Sequence, residues 1–77
     1  MQTVLNESKT HKLTLEKTAG QWWLELIERA TGLTRIVYFK RKDKALAFCD
    51  RMTMPGIVRV FIEVLKIEPV KMYKENI

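Results

Sequence analysis

Apolar and polar residues alternate in three consecutive segments of the first half of the chain. In "HKLTLEK", residues 11–17, leucines alternate with polar residues. Residues 21–29 and 33–40 continue the pattern with aromatic and β-branched side chains, which are typical of strands. The short links between the segments contain Gly20 and Gly32, and glycine suits tight turns. The pattern predicts three antiparallel strands joined as a meander.

The period of the apolar residues changes after residue 40. Four residues of the next segment recur at the i, i+3, i+4 and i+7 spacing of an amphipathic helix: Ala45, Phe48, Cys49 and Met52. Asp43 suits the N-terminus of this helix because its carboxylate can accept from free N–H groups there. The sequence "MPG", residues 54–56, is expected to end the helix, since proline disfavours the α conformation in the residue before it. The spacing therefore predicts one helix within residues 42–53.

A second apolar run, "GIVRVFIEVLKIE", covers residues 56–68 and predicts a long fourth strand. The predicted fold class is α+β, with an antiparallel sheet of about four strands, one helix packed on one face, and the order β-β-β-α-β. A chain of 77 residues has room for one small domain, so residues 1–77 are interpreted as a single unit. Within it, residues 1–10 form a polar arm and residues 69–77 a tail.

Composition narrows the class of protein. The net charge is +5 and hydrophobic residues make up 47% of the chain, which indicates a globular and basic protein. One cysteine, Cys49, excludes an intrachain disulfide framework and favours a reducing compartment. No apolar run reaches the ~18 residues of a transmembrane helix, and the first residues do not resemble a secretory signal. We expect a cytoplasmic protein that does not insert into membranes.

The sequence offers little catalytic chemistry. His11 is the only histidine and Cys49 the only cysteine, so a zinc site with nitrogen and sulfur ligands is not expected. Cys49 lies on the apolar helix stripe, where a thiol behaves as a small core residue. No glycine-rich phosphate loop is present. We therefore predict no catalytic residues, no bound metal, no cofactor and no small-molecule substrate, so the protein is not expected to be an enzyme.

The two adjacent tryptophans of the second strand must point to opposite faces of the sheet. Trp22 shares its face with Leu24 and Leu26, whereas Trp23 shares the other face with Ile27. The helix can cover only one face, and the Trp22 face is predicted to be the core. Residues expected in this core alternate along all four strands: Leu13, Leu15, Trp22, Leu24, Leu26, Val37, Phe39, Val58, Val60, Ile62 and Val64.

The opposite face is too apolar to remain in water. It is expected to be covered by the C-terminal tail or the N-terminal arm folding back, by a second copy of the chain, or by another protein. The side chains predicted to form a partner-binding surface there are Trp23, Ile27, Ile36, Tyr38, Phe61 and Leu65. Aromatic anchors of this kind are typical of protein interfaces. The sequence therefore predicts a small interaction protein that binds a protein partner and also itself, as do many regulators and inhibitors, including those of phages.

An alternative interpretation rests on the basic segment "KRKDK", residues 40–44. Lysine and arginine side chains in a loop can neutralise phosphates of DNA or RNA. The residues that would carry this activity are Lys40, Arg41, Lys42 and Lys44. A loop of charged residues that only keeps the protein hydrated explains the same pattern, so nucleic acid stands as the second partner class.

Overall fold

The computed structural model describes residues 2–67 and 71–73 of the chain, and the side chains of residues 2–66. Elements follow the order β-β-β-β-α-α-β: β1 (Gln2–Glu7), β2 (His11–Thr18), β3 (Gln21–Glu28), β4 (Thr34–Phe39), α1 (Lys42–Phe48), α2 (Met54–Ile67) and β5 (Lys71–Tyr73). The α+β class is confirmed. The predicted order differs from the structure, which has an additional strand at each end and a second helix.

Strands β1 to β4 form an antiparallel sheet in chain order, and β5 joins its edge by pairing parallel with β4. The link between β2 and β3 is a two-residue turn, because Thr18 pairs with Gln21. Ala19 and Gly20 fill it with φ angles of 52° and 77°, a combination suited to the twist of a hairpin. The predicted meander of three strands corresponds to β2, β3 and β4.

Strand β1 lies where the sequence predicts a polar arm. It pairs with β2 over its whole length, but the register shifts between Val4 and Asn6. This β-bulge interrupts the alternation of polar and apolar residues, so the usual period-2 signal is absent from "TVLNE". Leu5, at the bulge, packs against the core, and this contact holds the strand to the domain.

Helix α1 is shorter than predicted and ends at Phe48, with Cys49 as its C-cap. Ala45 is fully buried, whereas Phe48, Cys49 and Met52 are partly buried and pack against the core. The predicted stripe thus faces the sheet, although Met52 lies in the link that follows α1.

The predicted fourth strand is wrong, because α2 occupies residues 54–67. Its inward residues recur at helical spacing: Met54, Ile57, Val58, Phe61, Val64 and Leu65. Pro55, expected to end a helix, instead lies in the first turn of α2, where the missing N–H costs no hydrogen bond. The parity assigned to a strand therefore fails here, and Ile62, predicted to be buried, is 42% exposed.

Both helices pack on one side of the sheet, which we call the inner face. The fully packed core joins the two layers and consists of Leu13, Leu15, Leu24, Leu26, Val37, Phe39, Ala45, Met54, Ile57 and Phe61. The rings of Phe39, Phe48 and Phe61, one each from β4, α1 and α2, follow one another at centroid distances of 5.5 and 5.7 Å. Trp22 lies at the margin of this core and is partly buried.

None of the helices among residues 2–67 is long and apolar enough to cross a membrane. The predicted tail, residues 69–77, lies outside the described part of the chain except for β5.

Candidate interaction surface

The side of the sheet opposite the helices, which we call the outer face, is built from three rows of residues running across the strands. Cross-strand pairing fixes these rows. The upper row is Gln2, Glu16, Trp23 and Tyr38. The middle row is Val4, Thr14, Glu25 and Ile36, and the lower row is Glu7, Lys12, Ile27 and Thr34.

Aromatic contact dominates the upper row. Trp23 and Tyr38 pair across β3 and β4, and their rings meet edge to face at 5.0 Å between centroids. Such pairs contribute about 0.5–1.5 kcal/mol beyond their buried area. The indole Nε1 of Trp23 is buried and has no hydrogen-bond partner among the described residues, although a buried indole N–H normally has one. The indole N–H is therefore a buried donor without an acceptor among the described residues, and its burial keeps it from the surface that a partner would contact.

Two carboxyl groups meet near the centre of the outer face. Burial raises the pKa of Glu25, and the neighbouring charge of Glu16 and a hydrogen bond between the two side chains raise it further. Thr14, paired with Glu25 across the strands, is 0% exposed, and its Oγ1 lacks a hydrogen-bond partner among the described residues. Leaving a buried hydroxyl unpaired costs about 1–3 kcal/mol.

Four of the six residues predicted to bind a partner lie together on the outer face: Trp23, Ile27, Ile36 and Tyr38. Each is partly buried. Their neighbour Val4, on β1, is 46% exposed and extends the apolar surface to the sheet edge. The middle row is apolar at both ends, at Val4 and Ile36, and has the polar residues Thr14 and Glu25 between them.

Phe61 and Leu65 do not belong to this surface, and their predicted placement is wrong. Both lie on α2, where Phe61 is 0% exposed and Leu65 packs partly buried against the core. The error follows from treating residues 56–68 as a strand. A strand over residues 56–68 would also place Ile67 on this face, but Ile67 belongs to α2, and its side chain lies outside the described residues.

Sequence reasoning missed three features of the outer face. Val4 falls in the predicted polar arm, and the bulge after it removes the regular alternation that would have indicated a strand. Thr14 fits the alternation as a polar residue, but nothing in the sequence indicates that its side chain is buried. The closeness of Glu16 and Glu25 could have been found from the hairpin register, which sets Glu25 opposite Thr14 and beside Glu16.

The basic segment lies at the junction of β4 and α1. Lys40, Arg41, Lys42 and Lys44 are exposed, and Arg41 is held by the carboxylate of Asp43 at 2.6 Å. Lys42 Nζ lies 5.5 Å from the centre of the Trp22 ring, and Lys17 Nζ from β2 lies 5.6 Å from it. Lys17 therefore lies beside the basic segment as a fifth basic residue, which the sequence did not indicate.

Cys49 and His11, the only cysteine and the only histidine of the chain, have local structural roles. Burial raises the pKa of the Cys49 thiol, and its Sγ lies 3.8 Å from the carbonyl of Leu46. His11 Nδ1 lies 2.9 Å from Thr10 Oγ1, and the His11 N–H donates to Ser8 Oγ at 3.0 Å, contacts that close the turn between β1 and β2. Among the described residues, no three His, Cys, Asp or Glu side chains are grouped as metal ligands.

Comparison of the chain with protein-family models, with curated proteins and with solved structures gives no match.

Proposed function

We propose that this protein is a small interaction protein that binds a protein partner through the outer face of its sheet. The observation that carries the proposal is the apolar and aromatic content of a face on which no described helix packs. An antiparallel sheet with one face in water normally has polar residues there. Trp23, Ile27, Ile36 and Tyr38 instead form a contiguous group on that face.

The charged side chains of the outer face support a protein as the occupant. Glu16 and Glu25 stand among the apolar residues, and Lys12 and Glu7 lie in the lower row of the same face. Carboxylates at the centre of a surface repel phosphates, so this face disfavours nucleic acid.

A site-specific photo-crosslinking experiment tests the outer face. We place benzoylphenylalanine at Tyr38 and, as a matched control, at Ile62, which is exposed on α2, and irradiate cells that naturally produce the protein. We expect an adduct from position 38 that disappears when Trp23→Glu is added, because a buried carboxylate in an apolar contact is strongly unfavourable. Circular dichroism verifies that the variant is folded. Equal adducts from both positions, or none from position 38, would overturn the proposal.

Nucleic-acid binding by Lys40, Arg41, Lys42 and Lys44 is the second candidate function. The position of Lys17 favours it, because Lys17 and Lys42 both lie over Trp22 and concentrate positive charge at one end of the sheet. This surface lies away from the outer face, so the two candidate functions can be tested with separate variants.

A further inference from the structure

We propose that the outer face binds a second copy of this chain, with the strands reversed, so that Lys12 of each copy contacts Glu16 of the other. This inference rests on the proposed function, since it names the partner of the same surface. It follows from the arrangement of charged and apolar residues over the three rows.

The two charges of β2 stand at opposite ends of the surface. Lys12 lies in the lower row and Glu16 in the upper row, with Thr14 between them. Residues four apart on a strand are separated by about 13 Å, too far for an ion pair within the strand. The acidic residue opposite Lys12 on β1 is Glu7, but its carboxylate pairs with Arg29 at 2.7 Å, and Lys12 has no ion-pair partner among the described residues. A two-fold axis parallel to the sheet, perpendicular to the strands and level with Thr14 exchanges the two rows. Lys12 of each copy then lies against Glu16 of the other.

The same rotation matches the apolar residues. It brings Trp23 of one copy over Ile27 of the other, because these residues occupy the upper and lower rows of β3. Val4 and Ile36, in the middle row, meet their own counterparts, as residues on the axis of an isologous interface must. Rotation about an axis parallel to the strands would instead set Lys12 against Ile27, and the charges would remain unpaired.

The middle row explains how the carboxyl groups fit such an interface. The axis brings the two copies of Glu25 together, and they can share one proton, with the protonated carboxyl donating to the carboxylate. The charged or titratable groups around Glu25 are Glu16 and Lys12 on β2 and Tyr38 on β4. Burial and Glu16 already raise the pKa of Glu25, so association is expected to strengthen as the pH falls.

The size of the surface sets the expected strength. Four strands about 4.8 Å apart, each contributing about six residues at about 3.3 Å, present roughly 400 Å² in projection. A standard interface buries about 800 Å² of accessible surface from each partner. The surface is smaller than that of a standard interface, so the self-association is expected to be weak and transient, and measurements must extend from micromolar to millimolar concentration.

Charge exchange tests the pairing by sedimentation equilibrium. Lys12→Glu and Glu16→Lys each turn both ion pairs of the dimer into like-charge pairs, and we expect each variant to associate about tenfold more weakly than the wild-type chain, a loss of about 1.4 kcal/mol. An equimolar mixture of the two variants restores association, since one copy then presents only carboxylates at these positions and the other only ammonium groups. The double variant in one chain also restores it.

Matched controls carry the same charge changes on the helical side of the molecule. Lys66→Glu and Glu63→Lys alter exposed residues of α2 and are expected to leave the association unchanged. Circular dichroism shows whether each variant is folded, and Lys12→Gln, which removes the charge without reversing it, serves if Lys12→Glu is unfolded. It is then expected to show an intermediate loss.

The outcomes separate this inference from the proposed function. A wild-type chain that stays monomeric at millimolar concentration overturns the self-pairing, whereas an outer-face crosslink to a different protein still supports the proposed function. The pairing is also overturned if the mixture of Lys12→Glu and Glu16→Lys chains fails to regain association. The same holds if Lys66→Glu and Glu63→Lys weaken association as much as the changes on β2 do. If Trp23→Glu leaves such a dimer intact and the photo-crosslink is absent, the proposed function fails as well.

Discussion

Glu25 lies in surroundings that disfavour its ionised form. Desolvation is the largest cause, and the charge of Glu16 and a hydrogen bond with Glu16 add to it. All three causes stabilise the protonated carboxyl relative to the carboxylate. Ionisation of Glu25 therefore destabilises the folded chain relative to its protonated form.

This environment gives a prediction about the pH dependence of stability. Because the folded pKa lies above the ordinary value of 4.5, the stabilisation from protonating Glu25 is fully present below 4.5 and is lost as the pH rises through the folded value. Glu25→Gln removes this dependence, and we expect the variant to be more stable than the wild-type chain at neutral pH, with a smaller advantage under acidic conditions. Urea unfolding at a concentration too low for self-association measures the difference.

Glu63→Gln is the control for this comparison, since Glu63 is exposed on α2. The relevant quantity is the change in the stability difference between neutral and acidic pH for each variant. A Glu25→Gln variant whose advantage over the wild-type chain does not change with pH, or changes as for Glu63→Gln, contradicts the prediction.

The turn between β2 and β3 contains an alanine, Ala19, at a position whose backbone conformation favours glycine or asparagine. Both central residues have positive φ, 52° at Ala19 and 77° at Gly20. Glycine adopts this conformation freely, whereas an alanine pays a steric cost and asparagine is tolerated much better. We expect Ala19→Asn to raise the free energy of unfolding by about 0.5–1 kcal/mol, measured by urea unfolding.

Ala30→Asn provides the comparison for this turn. Ala30 is also exposed in a link between strands, but its φ is not positive, so the same substitution is expected to give no gain. Equal effects at the two positions would show that asparagine acts through something other than the turn conformation.

Local signals were sufficient for the hairpins and insufficient for the second half of the chain. Strands β2, β3 and β4 alternate regularly and are linked by glycine-containing turns, so their register and the outer-face positions of Trp23, Ile27, Ile36 and Tyr38 follow from parity. Apolar residues within 54–67 fit both the period of a strand and the period of a helix. Val58, Val60, Ile62 and Val64 alternate as a strand, while Met54, Ile57, Phe61 and Leu65 repeat as a helix, and β-branched residues favour the wrong choice. Tertiary packing decides between them, because the inner face of the sheet needs a second helix to cover it.

Positive charge is distributed unevenly over the molecule. The chain has a net charge of +5, yet the outer face has two carboxylates at and beside its centre. The basic segment and Lys17 lie around Trp22, which belongs to the inner-face side of β3. Any polyanion attracted by the net charge would therefore be held at this end of the molecule and away from the proposed protein interface.

The salt dependence of DNA binding tests this arrangement. We expect weak association with a mixed-sequence duplex at low salt, because each phosphate neutralised by a basic side chain releases counterions and adds about 0.9 to the slope of log K against log salt. A variant with glutamine at all four basic positions of the segment should lose part of this slope: Lys40, Arg41, Lys42 and Lys44.

A control variant neutralises four exposed basic residues elsewhere: Lys9, Arg51, Arg59 and Lys66. Both variants have the same net charge, so an equal loss of slope would show that the segment is not a binding site, and the absence of any binding at low salt would exclude the second candidate function. Trp23 lies on the other face of the sheet. The Trp23→Glu variant is therefore expected to leave the slope nearly unchanged, because the added negative charge is distant from the basic residues around Trp22.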